Sequence, residues 1–225
     1  MSDPFSPVLE LRNATCAADG CALRGLSLSF GAGAFHLVTG QPASLRTALL
    51  RVLGLLDAPA CGEVFFEGRA VASLAEPERD LIRNQRCGFL FAAPFLLSTF
   101  SVIENIAMPL FKISQVNPEQ ARERTDLLLD FTGLTADAQR HAGELTPYQQ
   151  HAVSLARALA NDPALITVES LDAGLAPEET ASFAALLRQC CARFGVTIIA
   201  SAPADFAAEP GDRLLALDAE GAILA

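Results

Sequence analysis

The chain has 225 residues, of which 51% are hydrophobic and 19% charged, and its net charge is −10. That length is sufficient to bury a sizeable core, and the high apolar content excludes an intrinsically disordered protein. The acidic balance, with Lys112 as the single lysine, argues against a nucleic-acid-binding protein, which needs clustered basic side chains. No stretch reaches the roughly 18 to 20 apolar residues of a membrane span.

The start of the sequence and the cysteines indicate the compartment. Residues 1–7 carry neither the basic nor the apolar segment of a signal peptide, so we expect a cytoplasmic protein. Six cysteines occur without a CxxC pair, and the sequence predicts no metal site. In a reducing compartment we expect these cysteines to be free, buried thiols.

The first 91 residues mix strand and helix signals. Alternating or continuous apolar runs predict strands at 8–12, 26–30, 34–39, 62–68 and 87–91. A turn is predicted at 18–20, and helical patterns occupy 48–56 and 77–85. The strand at 34–39, the glycine turn after it and the helix that follows have the order of a phosphate-binding unit.

The rest of the chain is first helical and then returns to strands. A clear helix opens at Pro118, and later patterns predict strands at 164–168, 196–200, 213–217 and 222–224, with a helix at 178–194. The sequence therefore predicts an α/β fold, in which a core of residues 1–91 and 157–225 is interrupted by a helical subdomain at 92–156. A ligand is expected at the carboxyl ends of the parallel strands.

Several framework segments carry a family resemblance. They are Leu49–Asp57 with Gly62–Val64, Arg83–Gln85 with Gly88 and Phe89, Leu96 and Leu97 with Ile103–Leu110, and Val153–Leu159 with Asn161–Leu165. Through them the chain resembles, over nearly its whole length, the nucleotide-binding subunits of ABC transporters, most closely the lipoprotein-releasing and macrolide-exporter type. The resemblance implies a P-loop NTPase fold with a parallel core sheet, an N-terminal antiparallel β part and a helical subdomain.

The phosphate loop of the family reads GxxxxGK[ST]; its backbone N–H groups and lysine hold phosphates, and its hydroxyl binds Mg²⁺. The matching residues here are Gly40, Ala43, Ser44, Leu45, Arg46 and Thr47. The first glycine and the hydroxyl remain, but Ala43 and Leu45 stand where the family has glycines, and Arg46 replaces the lysine. Two interpretations stay open: a weakened phosphate site, and an ordinary turn between a strand and a helix.

Two further motifs depart from the family pattern. The strand that ends in Asp-Glu in the family ends here in Val168 and Glu169, so Glu169 fits the catalytic position but Val168 cannot support a metal ion. The signature motif, LSGGQ in the family, is here Leu145, Thr146, Pro147, Tyr148 and Gln149. Pro147 and Tyr148 remove an N–H and add bulk where the family approaches a phosphate, although Thr146 before Pro147 predicts a good helix start.

Other family positions are also altered. Ala92 stands for the glutamine after the predicted strand 87–91, Ala176 for the aspartate of the dimer contact, and Ala202 for the switch histidine. Small residues occupy 16–18, where the family has an adenine-stacking aromatic side chain. The resemblance further implies that Phe95, Leu96, Leu97 and Glu104 contact a membrane partner.

These substitutions would remove most of the electrostatic stabilisation on which phosphoryl transfer depends. The sequence therefore predicts a pseudo-ATPase, peripheral on the inner face of the membrane, that pairs with a transmembrane permease subunit, a second ABC subunit, or both, as a homodimer or heterodimer. No cofactor is expected. The first alternative is a weakened ATPase that uses ATP and Mg²⁺ through Arg46, Thr47 and Glu169. The second is a cleft that has become more apolar around Val168, Leu45 and Ala92 and takes another ligand.

Overall fold

A computed structural model describes residues 7–114, 116–217 and 223–224. The strands are β1 Leu9–Ala18, β2 Cys21–Phe30, β3 Phe35–Gly40, β4 Cys61–Phe66, β5 Arg69–Ala70, β6 Cys87–Leu90, β7 Leu165–Val168, β8 Thr197–Ser201, β9 Arg213–Leu217 and β10 Ile223–Leu224. The helices are α1 Ala43–Leu53, α2 Glu76–Arg86, α3 Val102–Pro109, α4 Pro118–Phe131, α5 Pro147–Leu159 and α6 Pro177–Phe194. A π-helical turn, Leu110–Ser114, follows α3.

The strands form two sheets. The order of the first, antiparallel sheet is β2-β1-β4-β5, and the order of the second is β10-β9-β3-β8-β7-β6. In the second sheet β3 is parallel to β8 and β9, and β7 is parallel to β6 and β8. The predicted α/β class, with a parallel core sheet and an antiparallel part, is confirmed. The predicted link of the last hairpin, 218–221, lies outside the described residues.

Helix α1 lies between the two sheets and joins them. Its side chains Leu45, Leu49 and Leu53 are fully buried, in one core with Leu9 and Leu11 of β1. A second core packs α3, α4, α5 and α6 against the other side of the parallel sheet. Because the strand ends of the parallel sheet meet the start of α1, this is the place where a ligand site is expected.

The predicted boundaries of α1 are wrong. The sequence predicts a helix over 48–56, whereas α1 begins at Ala43 and ends at Leu53. Alanine, leucine and arginine are strong helix formers, and no glycine interrupts residues 43–53, so the helical backbone starts directly after Pro42. The predicted turn between strand and helix is therefore only two residues long.

The cysteines are free in the structure, but burial is only partly as predicted. Cys16, Cys87, Cys190 and Cys191 are buried, whereas Cys21 and Cys61 are exposed. The two exposed residues open β2 and β4, where each strand emerges from a loop. Burial raises the pKa of the Cys16 thiol to about 11, which makes that thiol unreactive.

The division into residues 1–91 with 157–225 and a helical subdomain at 92–156 stays a prediction. Helix α5 contains residues on both sides of the second boundary. Within the ranges 7–114, 116–217 and 223–224, no helix combines the length and apolarity needed to cross a membrane.

Candidate functional site

Strand β3 ends at Gly40, directly before the turn to α1, and the backbone φ of this residue is +96°. A Cβ on this residue would lie 1.8 Å from the backbone oxygen of Leu217 in β9. Such a distance is impossible, so β9 requires glycine here whether or not a phosphate binds. The glycine that the sequence shares with the phosphate-loop motif therefore has a structural reason of its own.

The amides of the third and fourth residues of α1 are used inside the helix. The N–H of Leu45 donates to the carbonyl oxygen of Pro42 at 3.2 Å, and the N–H of Arg46 donates to the same oxygen at 3.4 Å. The Leu45 side chain is fully buried in the core between the sheets. A phosphate loop needs these amides to point at its ligand, and here they complete the first helical turn.

The side chain of Arg46 turns back onto the strand ends. Its Nε donates to the Ser201 hydroxyl at 2.9 Å, and its Nη1 donates to the Gly40 carbonyl oxygen. Burial lowers the pKa of the Arg46 guanidinium, and the negative charge of Asp172 opposes that effect. The guanidinium remains charged, because arginine is not deprotonated in proteins. It thus bridges the ends of the adjacent strands β3 and β8.

A small cavity lies beside α1, at the ends of β6 and β7. Thr47, Arg51 and Glu169 line it with Phe89 and Phe91, and its volume is about 20 Å³. That is room for about one water molecule. The structure therefore brings Thr47 and Glu169, two predicted site residues, to one cavity.

Glu169 also has a local partner. Its Oε2 accepts a hydrogen bond from the Ala92 N–H at 3.1 Å, which ties the end of β7 to the segment after β6. Val168 is buried and packs in the core that contains side chains of α3, α4, α5 and α6. This position therefore supplies no oxygen for a metal ion.

The prediction of an apolar pocket around Val168, Leu45 and Ala92 is wrong, because these three residues do not line one pocket. Leu45 and Val168 are buried in two different cores, and Ala92 is exposed. The leucine points into the protein because α1 starts two residues before it, and the helical backbone directs that position toward β1.

At two further altered positions, Ala202 and Ala176, the backbone N–H makes a hydrogen bond within the chain. The Ala202 N–H donates to the Val38 carbonyl oxygen at 3.0 Å, and Ala202 is buried. Ala176 precedes α6, and its N–H donates to Glu179 Oε2 at 3.0 Å. Their assignment to family positions stays a prediction.

The altered signature motif forms the start of α5. The Thr146 hydroxyl accepts from the Gln149 N–H at 3.3 Å, and Gln149 Oε1 accepts from the Thr146 N–H at 3.1 Å. Pro147 is the first helical residue and Leu145 is buried. The Tyr148 ring meets Phe183 edge to face, with centroids 6.3 Å apart. The predicted helix start is confirmed, and both of its polar side chains are occupied locally.

The segment predicted to contact a membrane partner presents an exposed phenylalanine. Phe95 is 69% exposed and has a backbone φ of +47°. The Arg157 guanidinium of α5 fixes this conformation by donating to the carbonyl oxygens of Pro94 at 2.8 Å and Phe95 at 2.9 Å. Leu97, 42% exposed, continues the apolar surface, whereas Leu96 is partly buried.

Glu104 has a structural role in addition to any contact. Its Oε2 accepts from the Ser101 N–H at 2.7 Å and from the Ser101 hydroxyl at 2.8 Å, which caps α3. These bonds lower the pKa of the Glu104 carboxyl. The buried Asn105 holds the preceding loop by accepting from the Leu97 N–H and donating to the Leu97 carbonyl oxygen.

Sequence reasoning missed Ser201, Asp172 and Asn105. Ser201 is the last residue of β8 and pairs in register with Val38, so the position of both strands in one parallel sheet is the signal that leads to it. Asp172 and Asn105 follow no spacing rule, because their roles depend on contacts between distant segments.

A model of the family described as "ABC transporter" matches residues 23–169. The lipoprotein-releasing system ATP-binding protein LolD of Aquifex aeolicus is 40% identical over 144 residues, which are 64% of this chain and 64% of that protein. LolD of Saccharophagus degradans is 34% identical over 79% of this chain and 77% of its own length.

Solved structures give the same answer for the fold. The structure of cbiO1 from Clostridium perfringens, part of the ABC transporter complex cbiONQ, superposes with a TM-score of 0.87 at 20% identity, covering 98% of this chain and 88% of that one. The dimeric structure of the ABC transporter cassette MJ0796 gives 0.80 at 26% identity, covering 96% and 97%. The chain belongs to the ABC transporter family, as a relative of its ATP-binding subunits.

Proposed function

We propose that this protein is an ABC-transporter cassette subunit that has lost ATP hydrolysis and acts as a structural or regulatory partner in a membrane transport complex. The single observation that carries the proposal is the contact of Arg46 with Gly40 and Ser201. The one cation of the phosphate-loop motif is held by the chain itself. The amides beside it are bonded to Pro42.

The residues at this site do not fit Mg²⁺ and a triphosphate. Thr47 could supply a hydroxyl, but Val168 is buried and apolar where a carboxylate would be needed. Leu45 fills the inter-sheet core instead of leaving space beside the phosphates. Catalysis of phosphoryl transfer consists mainly of positioning and charge stabilisation, so this loss removes its basis.

The membrane side of the proposed role rests on the exposed segment around Phe95. A neighbouring groove of about 230 Å³ is lined by Phe91, Pro109, Ile113 and Arg157, among others. Aromatic and aliphatic side chains together with an arginine are typical of protein interfaces. We propose that a permease subunit docks here, and that the protein is peripheral on the cytoplasmic face of the membrane.

The relatives named LolD belong to lipoprotein-releasing systems, and a membrane complex of that class is the partner we propose. A second cassette subunit is the other proposed partner, since MJ0796 was solved as a dimer. The signature helix α5 would then face the partner's nucleotide with Thr146 and Tyr148.

A weakened ATPase is the second candidate. One observation favours it: Thr47 and Glu169 line the same cavity, with Arg51 beside them. In that case Glu169 would have to release the Ala92 N–H before it could orient a water molecule.

ATP turnover separates the two candidates. The purified chain is assayed with Mg²⁺-ATP, alone and with candidate permease and cassette subunits, beside Arg46→Ala and Glu169→Gln. The proposal predicts no turnover above the level of Glu169→Gln. A turnover that falls in either variant, by the 10²-fold or more expected for loss of a catalytic group, would refute it.

A further inference from the structure

The contacts of Arg46 have a consequence beyond the loss of a phosphate site. The guanidinium is attached to three elements: it belongs to α1, donates to the end of β3 through Gly40, and donates to the end of β8 through Ser201. Ser201 is only 4% exposed. A charged group that is held between two strand ends restrains both of them.

The neighbourhood of Arg46 supplies opposite charge without a direct ion pair. Asp172, in the segment after β7, acts on the guanidinium through space and raises the pKa that burial lowers. Its carboxylate accepts from the hydroxyl of Ser170, and no ion pair with Arg46 is formed in the described part of the chain. The hydrogen bonds to Gly40 and Ser201 are therefore what fixes the guanidinium.

We propose that Arg46 is an internal strut that holds the β3–α1 turn closed and orders the strand ends without any nucleotide. This inference rests on the proposed function, because it assigns to Arg46 the ordering of the same turn. The β3–α1 turn would then have a single conformation. The chain would associate with a membrane partner without nucleotide bound at this turn. Arg46 is a positioning residue in this account.

A double-mutant cycle on the full chain tests the strut. Arg46→Ala, Ser201→Ala and the double variant are compared with the unmodified protein by thermal unfolding. Hydrogen bonds to a charged group predict that Arg46→Ala lowers the unfolding midpoint by roughly 4 to 8 °C. The double variant should lose at least about 2 °C less than the sum of the single losses, because the two residues share one interaction.

The same helix offers a matched control. Arg51 and Asp57 form an ion pair in which each side chain is 46% exposed. Arg51→Ala, Asp57→Ala and their double variant should show a smaller loss and little coupling. Equal losses in Arg46→Ala and Arg51→Ala, or additive losses in the cycle at 46 and 201, would overturn the strut.

Hydrogen exchange keeps the test decisive if one variant folds poorly. In Arg46→Lys, which keeps the charge but not the fork, the hydrogen-bonded amides of Leu45 and Arg46 should exchange at least about tenfold faster than in the unmodified protein, while β7 is unchanged. Unchanged exchange of these two amides would contradict the proposal. ATP turnover by the unmodified chain would refute the proposed function and leave the coupling intact, so the two failures are distinguishable.

Discussion

The starts of α1 and α5 lie at the positions of the phosphate-loop motif and the signature motif. The two helix starts are stabilised within the chain in different ways. The start of α5 is closed locally, by the reciprocal hydrogen bonds of Thr146 and Gln149. The start of α1 has no side-chain cap at Pro42 and is fixed from a distance, by Leu217, Ser201 and the buried Leu45. A helix start can thus be stabilised by hydrogen bonds within four consecutive residues, or by contacts with residues that the sheet brings from distant parts of the chain.

Gly40→Ala should have the largest effect on this comparison. The new Cβ meets the Leu217 backbone, which cannot move without breaking the pairing of β3 with β9, so we expect a loss of about 3 kcal/mol or more. Gly20, with φ +80° and open space around its Cβ position, is the matched control. Gly20→Ala should cost about 1 kcal/mol in denaturant unfolding. Equal losses would mean that β9 does not determine the turn.

The second prediction concerns the pH dependence of stability that His36 causes in β3, the strand before α1. Burial, with a smaller contribution from Arg213, lowers the pKa of His36 from 6.5 to about 4, and among the residues that the structure describes its Nε2 has no hydrogen-bond partner. The unfolded chain therefore binds a proton between these values and the folded chain does not. Stability is lost as pH falls from about 6.5 toward 4, and from pH 7 to 5 the expected loss is about 2 kcal/mol.

His36→Leu should abolish that part of the pH dependence. His141, exposed and on the approach to α5, provides the control. Replacing it by leucine should leave the loss between pH 7 and 5 in place. The proposed role of His36 fails if both variants lose the same free energy on acidification.

Thr146→Ala should have a smaller effect, because it removes one local cap. The loss of the hydrogen bond from the Gln149 N–H predicts about 1 kcal/mol lower stability. Thr146→Ser keeps the hydroxyl and should recover most of it. A loss as large as that of Gly40→Ala would show that the start of α5 also depends on distant packing.

The smallest effect is expected on the exposed side of α1. Arg51→Ala breaks the ion pair with Asp57, which is half in solvent, so we expect less than about 0.5 kcal/mol in denaturant unfolding. A larger loss would indicate that the far end of α1 shares the restraint found at its start.

The comparison also explains what the sequence predicts and what it does not. The start of α5 is encoded in four adjacent residues, so its prediction is confirmed. The strands of the parallel sheet, such as β7 and β8, are predicted within one or two residues because their apolar runs are continuous. The sequence predicts the start of α1 five residues too late, because the resemblance to the phosphate-loop motif indicates a loop where Ala43 and Leu45 continue the helix.

The contacts of the candidate site are beyond local patterns. Ser201 lies 155 residues from Arg46, and only the register of the sheet brings them together. The requirement for Gly40 comes from Leu217, on a strand near the end of the chain. The phosphate-loop motif identifies positions 40 and 46 as candidates for a site, whereas packing explains why glycine and arginine occupy them.

The most direct measurement is thermal unfolding of the full chain with and without millimolar Mg²⁺-ATP. We expect an unchanged midpoint, because the amides of Leu45 and Arg46 and the Arg46 guanidinium are already bonded within the chain. A ligand present at 100 times its Kd adds about 2.7 kcal/mol, which would raise the midpoint by roughly 5 to 10 °C. A rise of that size would contradict the claim that the start of α1 no longer binds nucleotide.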